Sequence, residues 1–210
     1  MAAMQTPPSA LFTPTEAAVL TQLSVKAVNN AIDKKTVLAV AGRRAGAATR
    51  LLDLHGLMSL SLERRLAGRF VPELRRAVFD ALAKAPGHMV SLDGGFLQID
   101  LREPRRELAS SLRTLRRAQA IVTSDPDTMG GEPVFRETRV PVHLIAALLE
   151  QGADTDELLD AYPRLSAEMV RLAPLYADAY PLRGRARTQP WRDQPPIHRS
   201  RRRLATVEVA

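Results

Sequence analysis

Lysine and asparagine side chains between residues 24 and 35 could read DNA bases. An asparagine amide can pair bidentately with adenine, and a lysine ammonium can reach guanine or a phosphate. Apolar residues recur in this segment at spacings of three and four, which predicts an amphipathic helix that Ser24 caps and that runs to Lys34 or Lys35. The polar face of this helix would carry Lys26, Asn29, Asn30 and Asp33.

The flanking segments predict a winged helix-turn-helix. Thr13 to Glu16 has the pattern of a capping box with proline at the first helical position, so a first helix runs to about Leu23. Two helices separated by so little chain must turn sharply. Residues 37–40 and 49–52 predict a hairpin, a wing whose arginine tip would contact the sugar–phosphate backbone. In this domain, at residues 10–68, the predicted DNA-binding residues are Ser24, Lys26, Asn29, Asn30, Lys34, Lys35, Arg43 and Arg44.

The charge changes sign twice along the chain. The 210 residues include 30 Lys and Arg against 23 Asp and Glu, for a net charge of +7. Residues 1–120 hold 18 basic and 10 acidic side chains, residues 121–182 hold 4 and 11, and residues 183–210 hold 8 and 2. A basic head and tail attract an anionic partner, whereas the acidic segment repels phosphate. Biased coding composition, rich in arginine and alanine, could also produce this division, and helices with a hairpin are common, so these patterns alone leave DNA binding open.

Most catalytic chemistries lack their usual side chains here. The chain contains no cysteine, and His55, His88, His143 and His198 lie too far apart for a short metal-binding motif. A metal-dependent hydrolase site at Asp125, Asp127 and Glu132 is the enzyme alternative, but no base or nucleophile accompanies these carboxylates. We expect no enzyme activity and no cofactor. The sequence predicts neither a membrane span nor a secretory signal, so we expect a cytoplasmic protein.

Residues 69–120 predict an α+β middle region and a candidate dimerisation region. A helix is expected over 72–85 with Arg75 and Arg76 in water, then a hairpin of residues 90–92 and 96–101, then a helix over 104–120. The last helix has a leucine stripe that would form either intramolecular core or a dimer seam. The stripe consists of Leu108, Leu112 and Leu115.

Residues 121–182 predict a compact domain with a β-arm and three helices. A strand at 121–122 and a turn-rich loop at 124–131 precede a second strand over 134–140. Helices are expected from His143 to Glu150, from an Asp154 or Thr155 cap to about 161, and from a Ser166 cap to about 178. This trihelical arrangement is winged-helix-like.

The same segment resembles a small bacterial antitoxin domain, catalogued as domain of unknown function 433, over about 60 residues. The matching residues are Ile121-Val122, Asp125-Pro126, Gly130 to Phe135, Thr138 to Val142, Gly152, Glu157 to Leu159, Tyr162-Pro163, Leu165, Glu168 and Tyr176-Ala177. The family's arm typically has glycine before Thr138-Arg139, where this chain has Glu137. With a helix-turn-helix head, the chain is similar to VapB-type antitoxins. The resemblance implies a PIN-like ribonuclease toxin as partner, operator DNA, autorepression, and a homodimer or toxin–antitoxin hetero-oligomer.

The basic tail, residues 183–210, is predicted to be disordered on its own. Because the resemblance implies a nuclease with clustered carboxylates, tail arginines could pair with those acids and block its metal. The alternative is a loosely attached tail that adds nonspecific DNA affinity. The predicted toxin-binding residues are Trp191, Arg199, Arg201, Arg202 and Arg203.

We therefore predict an α+β, mainly helical protein with a winged helix-turn-helix head and a trihelical antitoxin domain at residues 121–182. The second hypothesis is a stand-alone winged-helix transcriptional regulator that responds to a small-molecule effector.

Overall fold

The computed structural model describes residues 10–44, 47–84, 87–127 and 129–182. Over these ranges the chain forms eight α-helices and three separate two-stranded antiparallel sheets, which confirms a mainly helical α+β fold. None of the described helices combines the length and the hydrophobicity that a membrane span requires. The elements are α1 (Pro14–Thr21), α2 (Val25–Asp33), β1 (Val40–Arg44), β2 (Ala47–Leu51), α3 (Leu54–Leu66), α4 (Pro72–Lys84), β3 (Met89–Leu92), β4 (Leu97–Asp100), α5 (Arg102–Ala120), β5 (Val122–Thr123), β6 (Val134–Phe135), α6 (Val142–Glu150), α7 (Thr155–Ala161) and α8 (Ala167–Ala179).

Four helices, α1, α2, α7 and α8, begin where side-chain caps were predicted. The Thr13 side chain accepts a hydrogen bond from the Glu16 amide, and the Glu16 carboxylate accepts one from the Thr13 amide, which completes the capping box of α1. Asp154 and Glu157 form a second capping box at α7, and the side chains of Ser24 and Ser166 each accept one backbone amide at the start of α2 and α8. Each cap satisfies backbone N–H groups that lack a partner in the first turn.

The first hairpin is displaced from its predicted position. β1 and β2 pair in the register Val40 with Leu51 through Arg44 with Ala47, so residues 42–44 belong to a strand rather than to the turn. The prediction of a strand at 37–40 is wrong because Val37 is buried and its amide bonds to the Ala31 carbonyl at the end of α2. Val37 therefore packs into the core before the strand begins, whereas Leu38 is exposed.

The predicted strand over 134–140 is also too long. β6 ends at Phe135, and the chain then turns, with the Thr138 amide and hydroxyl both donating to the Phe135 carbonyl at 3.0 and 2.8 Å. Glu137 has a φ of +62°. This left-handed conformation is energetically unfavourable for any residue with a Cβ atom. The glycine found here in the resembling domains would adopt it without that cost.

Two hydrophobic clusters make up the described core. The first runs from Phe12 on the chain before α1 through α2, α3, α4 and β3 to Leu115 on α5, and also includes Ala179 at the end of α8. The second joins β5, β6, α6, α7 and α8 around the fully buried side chain of Phe135. Residues of the predicted head and of the predicted middle region thus share one core.

The secondary structure of residues 69–120 agrees with the prediction, but the environment of Arg75 does not. α4, the β3–β4 hairpin and α5 form as predicted, and Leu108 and Leu115 lie buried in the first cluster. Arg75, predicted to lie in water, is instead about four-fifths buried and forms an ion pair with Glu63 of α3. Its position on α4 directs it toward α3, and burial of the guanidinium requires such an acidic partner.

Candidate nucleic-acid interface and the junction behind it

The outward face of α2 carries the polar residues that were predicted to read DNA. Lys26 and Asn30 are exposed, whereas Val28 and Ala31 on the opposite face are buried. Lys34 and Lys35, directly after the helix, are exposed too. The structure thus brings four of the eight predicted residues together as one exposed, positively charged surface.

Asn29 has a structural role that the sequence did not predict. Arg50 of β2 donates a hydrogen bond to the Asn29 side-chain oxygen at 2.7 Å and forms an ion pair with Asp33. Asn29 is half-buried, and its oxygen is already engaged. Arg50 therefore attaches the hairpin to α2 and fixes the position of one relative to the other.

Ser24 and the two hairpin arginines are placed differently from the α2 lysines. The Ser24 hydroxyl oxygen accepts the Ala27 amide at 3.1 Å as the helix cap. Arg43 and Arg44 are exposed and lie in β1. The Arg44 guanidinium is 3.5 Å from the Glu16 carboxylate, so part of its charge is compensated within the protein.

Glu16 is the centre of a polar junction behind this interface. Its side chain is 1% exposed, yet it carries a carboxylate. One oxygen accepts the Thr13 amide at 2.7 Å, and the other accepts the Tyr180 hydroxyl at 2.6 Å and faces Arg44. These partners compensate for the loss of water around a buried charge.

Tyr180 connects this carboxylate to the C-terminal helices. Its hydroxyl also accepts a hydrogen bond from the Gln119 amide, and its carbonyl accepts one from His143 Nε2 at 2.8 Å. The Thr15 hydroxyl donates to the Ala179 carbonyl at 2.8 Å. Burial, together with the nearby Glu16 carboxylate, raises the pKa of the Tyr180 phenol well above its usual range. The phenol therefore stays protonated and remains a donor at neutral pH.

The acidic loop of the C-terminal region forms local hydrogen bonds. The side chain of Asp125 accepts the Asp127 amide at 3.0 Å, a local turn motif, and both residues are exposed. Within the described ranges, no group of three acidic or histidine side chains is arranged as metal ligands would be. The predicted toxin-binding residues Trp191, Arg199, Arg201, Arg202 and Arg203 lie outside the described residues.

Comparison with known proteins shows which protein family this chain belongs to. The sequence profile of the DUF433 family, described as proteins of unknown function, matches residues 122–177. The chain is also 38% identical over 186 residues to the uncharacterized protein y4eO of Sinorhizobium fredii, with 82% of each chain covered. The chain belongs to the DUF433 family, which confirms the resemblance of residues 122–177 to domain of unknown function 433.

Two solved structures are also similar to parts of the chain. A DUF433 member from Anabaena variabilis is 33% identical, covers 37% of this chain and 77% of its own, and has a TM-score of 0.28. Rv2018 from Mycobacterium tuberculosis is 17% identical over 78% of this chain and 96% of its own, with a TM-score of 0.36.

Proposed function

We propose that the protein is a VapB-type antitoxin that represses its own operon and inactivates a PIN-like ribonuclease. The observation that carries the proposal is the exposed face of α2, where Lys26, Asn30, Lys34 and Lys35 lie together beside a hairpin held by Arg50. Residues 121–182 carry 11 acidic and only 4 basic side chains, so they are poorly suited to DNA and available for a protein partner.

In this proposal α1, α2 and the β1–β2 hairpin act as a winged helix-turn-helix. α2 would enter the major groove, where Asn30 can pair with adenine and Lys26 can reach guanine or phosphate. Arg43 on the hairpin would contact the sugar–phosphate backbone. Asn29 and Arg50 would then orient the reading helix rather than contact bases, because the Asn29 side-chain oxygen is already bonded to Arg50.

The nuclease would be bound by the acidic region and the basic tail. Tail arginines can pair with the clustered carboxylates of such an enzyme through charge-assisted hydrogen bonds, and this would exclude its metal. Trp191 supplies a large apolar side chain that could anchor the tail.

The DNA-binding half is tested by fluorescence anisotropy with DNA from upstream of the reading frame. Asn30→Ala should weaken binding about 5- to 150-fold and relax the preference at one base pair, the usual cost of a lost bidentate contact. Lys26→Ala should also weaken binding, whereas Lys84→Ala, which changes another exposed lysine at the end of α4, should not.

The salt dependence of binding is a second test of the same interface. If a dimer neutralises about six phosphates, log affinity should fall against log salt with a slope of about −5. A flat salt response, or equal losses for all three variants, would exclude this interface.

The toxin-binding half is tested by co-expression with the product of the adjacent reading frame. The full chain should form a stable complex with that protein and relieve the growth arrest it causes. Deletion of residues 184–210 should abolish the relief and leave operator binding intact. If relief persists at full strength while DNA binding weakens, the tail serves DNA and not the nuclease.

A cleft in the structure favours one second candidate, a regulator with a small-molecule effector. The cleft, of about 270 Å³, lies beside the Glu16 junction and is lined by Thr13, Thr15, Arg44 and Tyr180 among others. A ligand there would contact both the hairpin and the end of α8. This candidate predicts no inhibitory complex in the co-expression experiment and an operator affinity that depends on an effector.

A further inference from the structure

The tip of the β3–β4 hairpin exposes an aromatic side chain. Phe96 is 94% exposed, more than any other large hydrophobic residue described. It directly follows Asp93, Gly94 and Gly95, which all have positive φ angles and form the tight turn between β3 and β4. The base of the hairpin is closed by a hydrogen bond from the Leu101 amide to the His88 carbonyl, so Phe96 lies at the far end, about 13 Å away for strands of four residues.

An apolar groove lies between α3, α4 and α5. The groove has a volume of about 420 Å³ and is lined mainly by leucine and methionine side chains. An apolar cavity of about 150 Å³ can hold a benzene molecule, so this space accommodates a phenyl ring with room to spare. We call it the leucine groove, and its lining includes Leu54, Met58, Leu82, Leu108, Leu112 and Arg105.

The charges beside the two features are complementary. Asp93 is exposed in the same turn as Phe96, and Arg105 contributes to the wall of the leucine groove. Neither side chain forms an ion pair within the part of the chain that the structure describes. A segment that brings a phenyl ring and a neighbouring carboxylate would therefore fill the groove and pair its arginine. The tip of the β3–β4 hairpin, with Phe96 and Asp93, is such a segment.

We propose that the protein forms a two-fold dimer in which Phe96 of each copy inserts into the leucine groove of the other, with Asp93 near Arg105. A two-fold axis makes such a contact reciprocal, so each dimer contains it twice. The proposal assigns the dimer interface to the middle region and depends neither on DNA binding nor on toxin binding.

The contact is tested on the full chain by sedimentation velocity over a concentration series. Phe96→Ser removes the inserted ring and, because the residue is exposed, leaves the fold intact. Removal of a central aromatic anchor typically weakens an interface about thirtyfold or more, and two equal contacts multiply to about 1,000-fold in the dimer dissociation constant. Val71→Ser, which replaces another exposed apolar residue (63% exposed) outside both features, should leave the dimer unchanged.

A mixing experiment distinguishes reciprocal insertion from any other dimer. Ala109→Trp fills the groove from its exposed position on α5, so this variant has no groove but keeps its phenyl ring. Each variant alone should be monomeric, whereas labelled Phe96→Ser and Ala109→Trp chains should form a heterodimer, detected by fluorescence energy transfer, through the one remaining contact. If circular dichroism shows that Ala109→Trp is unfolded, Arg105→Glu replaces it as the groove variant.

Three outcomes would overturn the proposal. They are a wild-type chain that stays monomeric to about 100 µM, a Phe96→Ser chain that dimerises like wild type, and a mixture of the two variants that gives no heterodimer.

Discussion

The hydrogen bond from Tyr180 to Glu16 should be one of the strongest single polar contacts in the protein. It is 2.6 Å long, and its acceptor is a carboxylate that is 1% exposed. Tyr180→Phe removes only the hydroxyl group. A hydrogen bond to a charged group contributes about 1.5–3 kcal/mol, and Glu16 would keep the Thr13 amide and Arg44, so we expect a loss of about 2 kcal/mol in the free energy of unfolding.

Urea denaturation and thermal melting measure this loss. For a chain of this size, 2 kcal/mol corresponds to a melting temperature about 4–8 °C lower. The matched control is Tyr176→Phe, because Tyr176 is half-buried beside Tyr180 and packs against its ring, with no hydrogen bond from its hydroxyl within the described ranges. The control should change the free energy of unfolding by less than about 0.5 kcal/mol.

Alkaline pH gives an independent readout of the same contact. Burial and the Glu16 carboxylate raise the pKa of folded Tyr180 above the value of about 10 in the unfolded chain. The folded state thus binds this proton more tightly, so its stabilising contribution is complete below pH 10 and is lost as the pH rises above it. Tyr180→Phe should reduce this alkaline loss. Tyr176→Phe should do so less, because burial alone raises the pKa of Tyr176.

Equal stability of the Tyr180→Phe and Tyr176→Phe proteins at neutral pH, or equal losses of stability between neutral pH and pH above 10, would refute the argument. The Tyr180 hydroxyl would then exchange its protein partners for water at no cost, and the Glu16 junction would not hold α1 to the end of α8.

Two further substitutions test other parts of the fold. Glu137→Gly should raise the free energy of unfolding by about 1 kcal/mol, because Glu137 holds a left-handed φ of +62°; unchanged or lower stability in urea would contradict this. Arg75→Met leaves Glu63 without its partner and should cost about 1–2 kcal/mol, whereas Arg76→Met on the exposed face of α4 should cost under 0.5. Similar urea midpoints for the two arginine variants would show that the Glu63 pair contributes nothing.

Local signals in the sequence predicted the helix starts. The caps at Thr13, Ser24 and Ser166 were found because a cap is a hydrogen bond between a side chain and a backbone amide three residues later. The same reasoning placed α2, and with it the exposed Lys26 and Asn30. Contacts of this range are fixed by the order of neighbouring residues alone.

Features that depend on distant contacts were not predicted. α3 has no polar face over residues 56–62, all of which are buried, so no amphipathic period marked it. Glu16 has the sequence pattern of a surface capping residue, and nothing near it indicates that Tyr180 and Arg44 will enclose it. The position of β1 was missed because an apolar run such as residues 37–40 fits either a strand of the hairpin or a segment that contacts the core before the strand begins. Arg50, one residue before the end of β2, gave no local sign that it would bind Asn29 and Asp33.

The Glu16–Tyr180 bond joins residues separated by 164 positions, nearly the length of the described chain. During synthesis, α1 leaves the ribosome long before residue 180 has been translated, so its carboxylate remains hydrated until the last described helix arrives. Because a contact of this span closes a long loop, we expect it to form late in folding. Nascent chains that stall before residue 180 would therefore present an unfinished first helix to proteases, and only chains that extend past this residue would be sealed at this point.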